Sequence, residues 1–383
     1  MPVGVRLDCV GSWRQYCRMF INFWYPICTS AELVADSPRR VELLGLRFAA
    51  FRDASGVAHV VADTCVHRGG SLSRGKVRDG CIECPYHGWR FDGAGRCVRI
   101  PSLPDQAPPA RAKIDSYPVD ERYGVVFAFL GDLPEAERPP LCPVPQFGQP
   151  GWRASPIVVF EVGCWFERSM ENGLDPVHNE FVHPGQGFPP MLADTFRQWD
   201  DAWGAGFEAH FGVPQLDMTT FARERNRAGE LKAGSWFHGP NNLITSIFIN
   251  ADSNMVQYFF EAPVDGGRTR IFFLNMRNCM LEESMDEKVK QVNLKITGED
   301  IGILEALWPL RTPDGTTREL LTPSDRTVLR YREWLETWAE RGWRIDRRRV
   351  ALNAGDVAYV IPSPARRDTG NWVHEAVPLL AAR

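Results

Sequence analysis

Cys65, His67, Cys84 and His87 fall in two short segments, Cys65-Val66-His67-Arg68-Gly69-Gly70 and Cys84-Pro85-Tyr86-His87-Gly88-Trp89, with sixteen residues between His67 and Cys84. Each segment supplies one thiol and one imidazole, spaced C-x-H in the first and C-x2-H in the second. Two thiolates and two imidazoles suit a two-iron, two-sulfur cluster, with sulfur on one iron and ring nitrogen on the other. Imidazole ligation raises the potential above that of an all-cysteine cluster. A structural zinc tetrahedron competes, because it uses the same ligand types. Cys81 and Cys84 make a C-x2-C that would serve it. A zinc knuckle, however, leaves the doubled Cys/His pairing as coincidence. Gly69, Gly70 and Gly88 favour the cluster, since sulfurs close to backbone amides need loops free of side chains.

A second pattern runs Asn172-Gly173-Leu174-Asp175-Pro176-Val177-His178-Asn179-Glu180-Phe181-Val182-His183. Five helical residues turn about 500°, which puts His178 and His183 roughly 140° apart on an ideal cylinder. They can share a metal only where the helix ends or distorts, and Pro184 fits such an ending. The bland alternative is a helix with two partly buried, hydrogen-bonded histidines.

Elements must position these groups. Val41–Phe51, Val57–Asp63 and Gly124–Leu130 read as strands around the first two segments. Trp13 to Tyr25 reads as an amphipathic helical stretch, and the proline-rich passage Pro134 to Pro150 as a linker. Beyond it, Ile157–Val162 reads as a strand, Phe166–Val182 as helical, and Met255–Pro263 with Arg268–Met276 as a hairpin. Helices are expected over Glu282–Leu307 and over Ser324–Gly342, with Ser324 as the N-cap. The fold class is α+β: an all-β N-terminal domain, then an antiparallel sheet with its helices late in the chain. The expected boundaries are 1–39 (a helical segment packing on the catalytic domain), 40–150 and 151–383.

The strings C-V-H-R-G-G-x-L-S-x-G and C-P-Y-H-G-W-R-F resemble the Rieske domain of ring-hydroxylating and related oxygenases. Tyr86, Trp89 and Phe91 stand where respiratory Rieske proteins carry a disulfide cysteine, a serine and a tyrosine. Fewer hydrogen bonds to sulfur imply a lower potential. Asn172, Asp175, His178 and His183 match the family's N-x2-D-x2-H-x4-H motif. That match implies a mononuclear Fe(II) on two histidines and one carboxylate, in a helix-grip catalytic domain. The family places an aspartate at Asp300; Glu299, Asp286 and Glu305 remain rivals. One helical turn before His178, the Asp175 carboxylate can accept that histidine's outer N–H. The resemblance further implies that Asp175 bridges His87 of one subunit to the iron ligand of its neighbour in a cyclic trimer.

The shortened N-x2-D-x2-H spacing looks like the homotrimeric, α-only group of O- and N-demethylating and aminopyrrolnitrin-forming oxygenases. Such a chain is a terminal oxygenase that uses O2 and electrons from NAD(P)H through a separate reductase, with or without a ferredoxin. The implied reaction is monooxygenation, by hydroxylation or oxidative demethylation, of an aromatic or heterocyclic small molecule. N-oxygenation or dihydroxylation by the same site is the alternative, as is a pure electron-transfer protein without the catalytic iron. No G-x-G-x-x-G fingerprint occurs, so the nucleotide must bind another chain. Arg68, Arg74, Lys76, Arg78 and Arg90 flank the cluster loops and could dock an acidic donor.

The 383 residues are 44% hydrophobic, enough for two cores, and the formal charge of −4 gives no reason to expect nucleic acid or membrane partners. Ten scattered cysteines form no disulfide framework, and the first thirty residues carry no secretory pattern, so a cytoplasmic protein is expected.

Overall fold

The computed structural model describes residues 18–183, 188–212, 231–250, 252–313 and 316–382. The chain divides into two compact units: residues up to 138 with 263–266 and 338–383, and residues 139–262 with 267–337.

Three small antiparallel sheets and one two-stranded parallel pair, Tyr359–Val360 with Glu375–Ala376, build the first unit. One sheet joins Arg39–Leu43, Leu46–Arg52, Ala58–Ala62 and Ser116–Tyr117. The stretch read as a single strand, Val41–Phe51, is instead a hairpin that reverses at Leu44-Gly45, with φ of 55° and 70°. The left-handed pair matches strand twist, and glycine takes the second position at no steric cost. A second sheet joins Lys76–Arg78, Cys81–Glu83, Arg90–Phe91 and Cys97–Arg99, and it carries the two Cys/His loops.

The third sheet corrects the reading of the N-terminus. Phe23–Thr29 is a strand paired with Val125–Leu130, not part of a helix, and it belongs to the first unit. Phe23, Tyr25, Ile27 and Cys28 are all buried, and both faces being covered erases the alternation that marks a strand. Residues 1–17 lie outside the described residues. The chain's end also departs from the expected 151–383 domain, since residues 338–383 fall in the first unit. Asp115 there is fully buried, and Ser363 and Arg366 supply its donors at 2.7–3.0 Å. A buried carboxylate without such partners would be costly, so the distant C-terminal segment is held where it is needed.

The second unit is an eight-stranded antiparallel sheet with helices on one side of its site. Val158–Val162 pairs with Thr269–Arg277, followed in order by Asn254–Pro263, Asn242–Phe248, Leu231–Phe237, Ala205–Phe211 and Arg197–Asp200. The expected hairpin and linker are present, and the long helix is Asp286–Leu304. The last long helix, Arg326–Glu340, is preceded by Thr322 rather than capped by Ser324. The Thr322 N–H donates to Asp325 Oδ2 at 2.6 Å, because that threonine stands three residues before an acid. No described helix is long and apolar enough to cross a membrane.

Candidate active site

The two Cys/His loops have the same backbone. Cys65 N–H donates to Gly70 O at 2.8 Å and Gly69 N–H to Cys65 O at 2.9 Å. Their counterparts are Cys84 N–H to Trp89 O at 2.8 Å and Gly88 N–H to Cys84 O at 3.0 Å. Gly69 and Gly88 each sit near φ +70°, where only glycine is unstrained. Behind the first loop, the buried Asp63 accepts from Ser71 Oγ and from the Ser73 N–H at 2.7 and 2.6 Å, fixing the turn that follows.

Both cysteines are buried, while His67 is exposed and His87 half-buried, so sulfur ligands lie inside and ring ligands at the rim. The two histidine rings are 4.4 Å apart. Cys84 accepts a hydrogen bond from the Cys65 thiol, and from the Tyr86 and His87 amides, which holds it near 6 against the upward push of burial. Cys65 is pushed up, first by its bond to Cys84 and then by burial. His87 is pushed down by partial burial and by His67 and Arg68 beside it, the direction that favours the neutral ring a metal needs. Two buried sulfurs side by side, two adjacent imidazoles and amides aimed at sulfur fit a [2Fe–2S] group. One residue acquires a role the sequence did not show: Trp89 stacks on His67 at 4.7 Å with an interplanar angle of 3°. Arg90 loses the role suggested for it. It is buried between Glu83 and Asp79, at 2.7 and 2.6 Å, and cannot dock a partner.

The second pattern also folds differently from a continuous helix. Helix Phe166–Leu174 stops at Asp175-Pro176, and a short helix restarts over His178–Val182. The break therefore lies before His178, and His183 follows the last helical turn with φ −114° and ψ 58°. Pro184 is outside the described residues. His178 Nδ1 lies 2.6 Å from the backbone carbonyl of Asp175. A carbonyl can only accept, so Nδ1 carries the hydrogen and Nε2 presents a lone pair. The expectation that the Asp175 carboxylate takes this bond is thus corrected: the carboxylate accepts the Val177 N–H at 2.8 Å. The restart after Pro176 turns the Asp175 carbonyl, not its side chain, toward the ring.

Glu299 Oε2 holds His183 Nδ1 at 2.9 Å, which again leaves Nε2 as the free nitrogen. Both Nε2 atoms face Asp300 Oδ1, at 3.7 Å from His178 and 3.2 Å from His183. The three ligand atoms lie within 4.8 Å of one another. Asn172 Nδ2 donates to the same carboxylate oxygen at 2.9 Å. Burial pushes His178 down toward the neutral form, while His183 is raised because Asp300 and Glu299 outweigh its burial. Lone pairs converging on a carboxylate oxygen repel one another until a cation sits among them, so the donor set fits a mononuclear metal. The rival acids are engaged elsewhere: Glu299 on His183, Glu305 on the Gly163 N–H, and Asp286 on Arg153 and Arg277.

These side chains form one wall of a cavity of about 100 Å³. Alternation builds the opposite wall, because residues 243, 245 and 247, 257 and 259, and 271 and 273 line it from neighbouring strands. The long helix contributes one face: Asn293, Ile296, Thr297, Asp300, Ile301 and Leu304. Beneath the cavity lies a carboxyl that the sequence did not single out. Glu261 is fully buried, accepts from Ser169 Oγ at 2.7 Å, and is pushed up to about 8 by burial.

Residues 23–118 match the family described as "Rieske [2Fe-2S] domain", and residues 162–341 match "Vanillate O-demethylase oxygenase C-terminal domain". The chain is 28% identical over 343 residues to methylxanthine N1-demethylase NdmA of Pseudomonas putida, covering 85% of this chain and 90% of that one. It is 32% identical over 271 residues to 4beta-methylsterol monooxygenase of Methylococcus capsulatus, covering 66% of this chain and 67% of the relative. Its fold superposes on the solved structure of Pseudomonas putida NdmB with a TM-score of 0.68 and 25% identity, covering 86% of this chain and 95% of that one. With both domain types matched in order and both metal sites built, the chain belongs to the Rieske non-haem iron oxygenases, enzymes that carry a [2Fe–2S] cluster and a mononuclear iron.

Proposed function

We propose that this chain is the terminal oxygenase of a multicomponent system, receiving electrons from NAD(P)H through a separate reductase, with or without a ferredoxin. Cys65, His67, Cys84 and His87 hold the cluster, and His178, His183 and Asp300 hold Fe(II). The observation that carries the reading is the convergence of two imidazole lone pairs and one carboxylate on the wall of a mostly apolar cavity. When bound, the iron supplies oxygen chemistry in which one atom of O2 enters a substrate C–H bond and the other leaves as water, consuming two electrons and two protons.

The chain's own residues prepare the site. The Asp175 carbonyl and Glu299 hold the two rings in the tautomer that offers Nε2, and Asn172 fixes the rotamer of Asp300. Phe160, Leu243, Ile247 and Phe259 keep the cavity dry and match a planar aromatic or heterocyclic molecule. The relatives' activities, N1-demethylation of methylxanthines and monooxygenation of a 4β-methylsterol, support attack on a methyl group. In a homotrimer, Asp175 Oδ2 is left by the Val177 bond to accept from His87 of the neighbouring subunit and so carry the electron across. The test is turnover of N- and O-methylated aromatic compounds with a surrogate reductase and NADH, reading O2 uptake and formaldehyde. Rapid cluster reduction with no O2 uptake on any of them would contradict the reading.

A further inference from the structure

Ser169, Asn172 and Gly173 of helix Phe166–Leu174 line the cavity, the i, i+3, i+4 spacing of one helical face. Ser169 therefore stands one turn before the asparagine that holds Asp300. On the sheet, Gln257 and Phe259 line the cavity, and alternation puts Glu261 next on the same face. Glu261 is sealed off from it. The carboxyl is fully buried, and Ser169, which lines the cavity where Glu261 does not, lies 2.7 Å from its Oε1. The second oxygen, Oε2, has no hydrogen-bond partner, and the carboxyl makes no ion pair among the described residues. A charge so placed costs far more than a neutral acid. Burial pushes Glu261 up to about 8 against the Ser169 bond, so it holds its proton at neutral pH. The titratable neighbour that senses its charge is the buried Cys164 thiol, which burial also pushes up and on which Glu305 and Arg168 act in opposite directions.

Oxygenation consumes protons, and the cavity wall has few groups that give them. Its ionisable residues are His178, His183 and Asp300, all three committed to the metal. Ser169 differs from the other lining hydroxyls and amides in having an acid behind it. A neutral carboxyl reverses their hydrogen bond: the Glu261 O–H donates to Ser169 Oγ, and the serine's own hydrogen is released to donate elsewhere. The unpartnered Oε2 is then a carbonyl oxygen and not a half-matched charge.

We propose that Ser169 and Glu261 form a proton relay that delivers into the cavity one of the two protons the oxygenation consumes. The inference rests on the reading of the cavity as the oxygenation pocket. In the step, the Glu261 O–H bond breaks toward Ser169 Oγ while the serine O–H bond breaks toward the oxygen atom that leaves as water. The serine ends as it began, Glu261 is left as a carboxylate, and no electron moves. That carboxylate is costly where it lies, so it recovers a proton along the same route from water entering as product leaves.

Infrared spectroscopy of the iron-loaded, full-length protein reads the relay without turnover. The carbonyl band of a neutral carboxyl should be present at neutral pH, missing in Glu261→Gln, and should fade as pH passes about 8. On transfer to D2O that band should shift well before the amides of the core strands exchange, which shows a route that needs no unfolding. In Ser169→Ala it should shift only with those amides, and in Ser169→Thr, which keeps the hydroxyl, early again. Iron, sulfide and melting temperature verify that each variant is folded and loaded. With a surrogate reductase and a methylated arene that the wild type oxygenates, Ser169→Ala should lose about a hundredfold in turnover at unchanged KM, and Ser169→Thr should recover it. No neutral-carboxyl band removed by Glu261→Gln, early exchange in Ser169→Ala, or wild-type turnover in Ser169→Ala would overturn the proposal. Serine-dependent exchange, with no methylated arene oxygenated by the wild type, would instead sink the oxygenase reading and leave the proton path standing.

Discussion

Gly70 is where the cluster loops tolerate least. A Cβ built there would lie 2.9 Å from Cys84 Sγ and 3.4 Å from Tyr86 Cβ. Non-bonded heavy atoms need roughly 3.6 Å, so Gly70→Ala requires a separation of about 0.7 Å. That is more than three times the roughly 0.2 Å within which metal–ligand distances are held. The sulfur cannot yield by this much and still ligate, and the loop behind it is pinned by the paired Cys84–Trp89 and Cys84–Gly88 bonds. Gly69→Ala is the control. Its Cβ would meet nothing within 4 Å, but φ is +70°, so the cost is backbone strain of about 1–2 kcal/mol with the cluster untouched. The assay is iron and acid-labile sulfide per chain, the visible spectrum, and thermal melting of the two variants beside wild type. Gly70→Ala should lose most of its sulfide, and Gly69→Ala should keep it while melting earlier. A full cluster with an unchanged spectrum in Gly70→Ala would refute the assignment of Cys84 as a ligand.

Glu299→Ala removes the carboxylate that orients His183, and should weaken iron at the mononuclear site by about 10–100-fold, or about 1.4–2.7 kcal/mol. Chelator competition reads this, with sulfide content unchanged; wild-type iron affinity would contradict the role. Asp175→Ala should keep both metal centres, because His178 is held by the backbone carbonyl that the substitution leaves in place, yet lose turnover. Normal turnover with full metal would remove Asp175 from the electron path. Glu261 is protonated in the folded protein up to about pH 8 but ionised in the unfolded chain above the usual carboxylate range. It therefore contributes stability at low pH that falls by a few kcal/mol as pH rises toward 8. Glu261→Gln should flatten that decline in urea midpoints between pH 5 and 8, and an unchanged slope would show that Glu261 does not titrate there.

The chemistry was legible because Cys65, His67, Cys84, His87, His178 and His183 come from local segments whose spacing reports which groups share a loop. The third ligand, Asp300, was named through the family resemblance and not from its spacing, because Asp300 and Glu299 are adjacent in sequence and only the helix's rotation decides between them. The former turns toward both Nε2 atoms and the latter toward the outer nitrogen of His183. The carbonyl role of Asp175 was hidden for a related reason: the type of a side chain says nothing about where its own backbone oxygen points. In the fold, local signals such as the hairpin at Val264–Gly267 read correctly. Phe23–Thr29 did not, because a strand buried on both faces shows no period, and its partner Val125–Leu130 lies about a hundred residues away. The return of residues 338–383 to the first unit depends on bonds more distant still, Arg347 to Leu44 and Arg366 to Asp115.

Metal analysis of the anaerobically purified chain and of His178→Ala tests the central claim most directly. The account predicts about three irons and two sulfides per chain in the wild type, and the loss of one iron with both sulfides retained in His178→Ala. Two irons in both proteins, or zinc in place of iron, would contradict it.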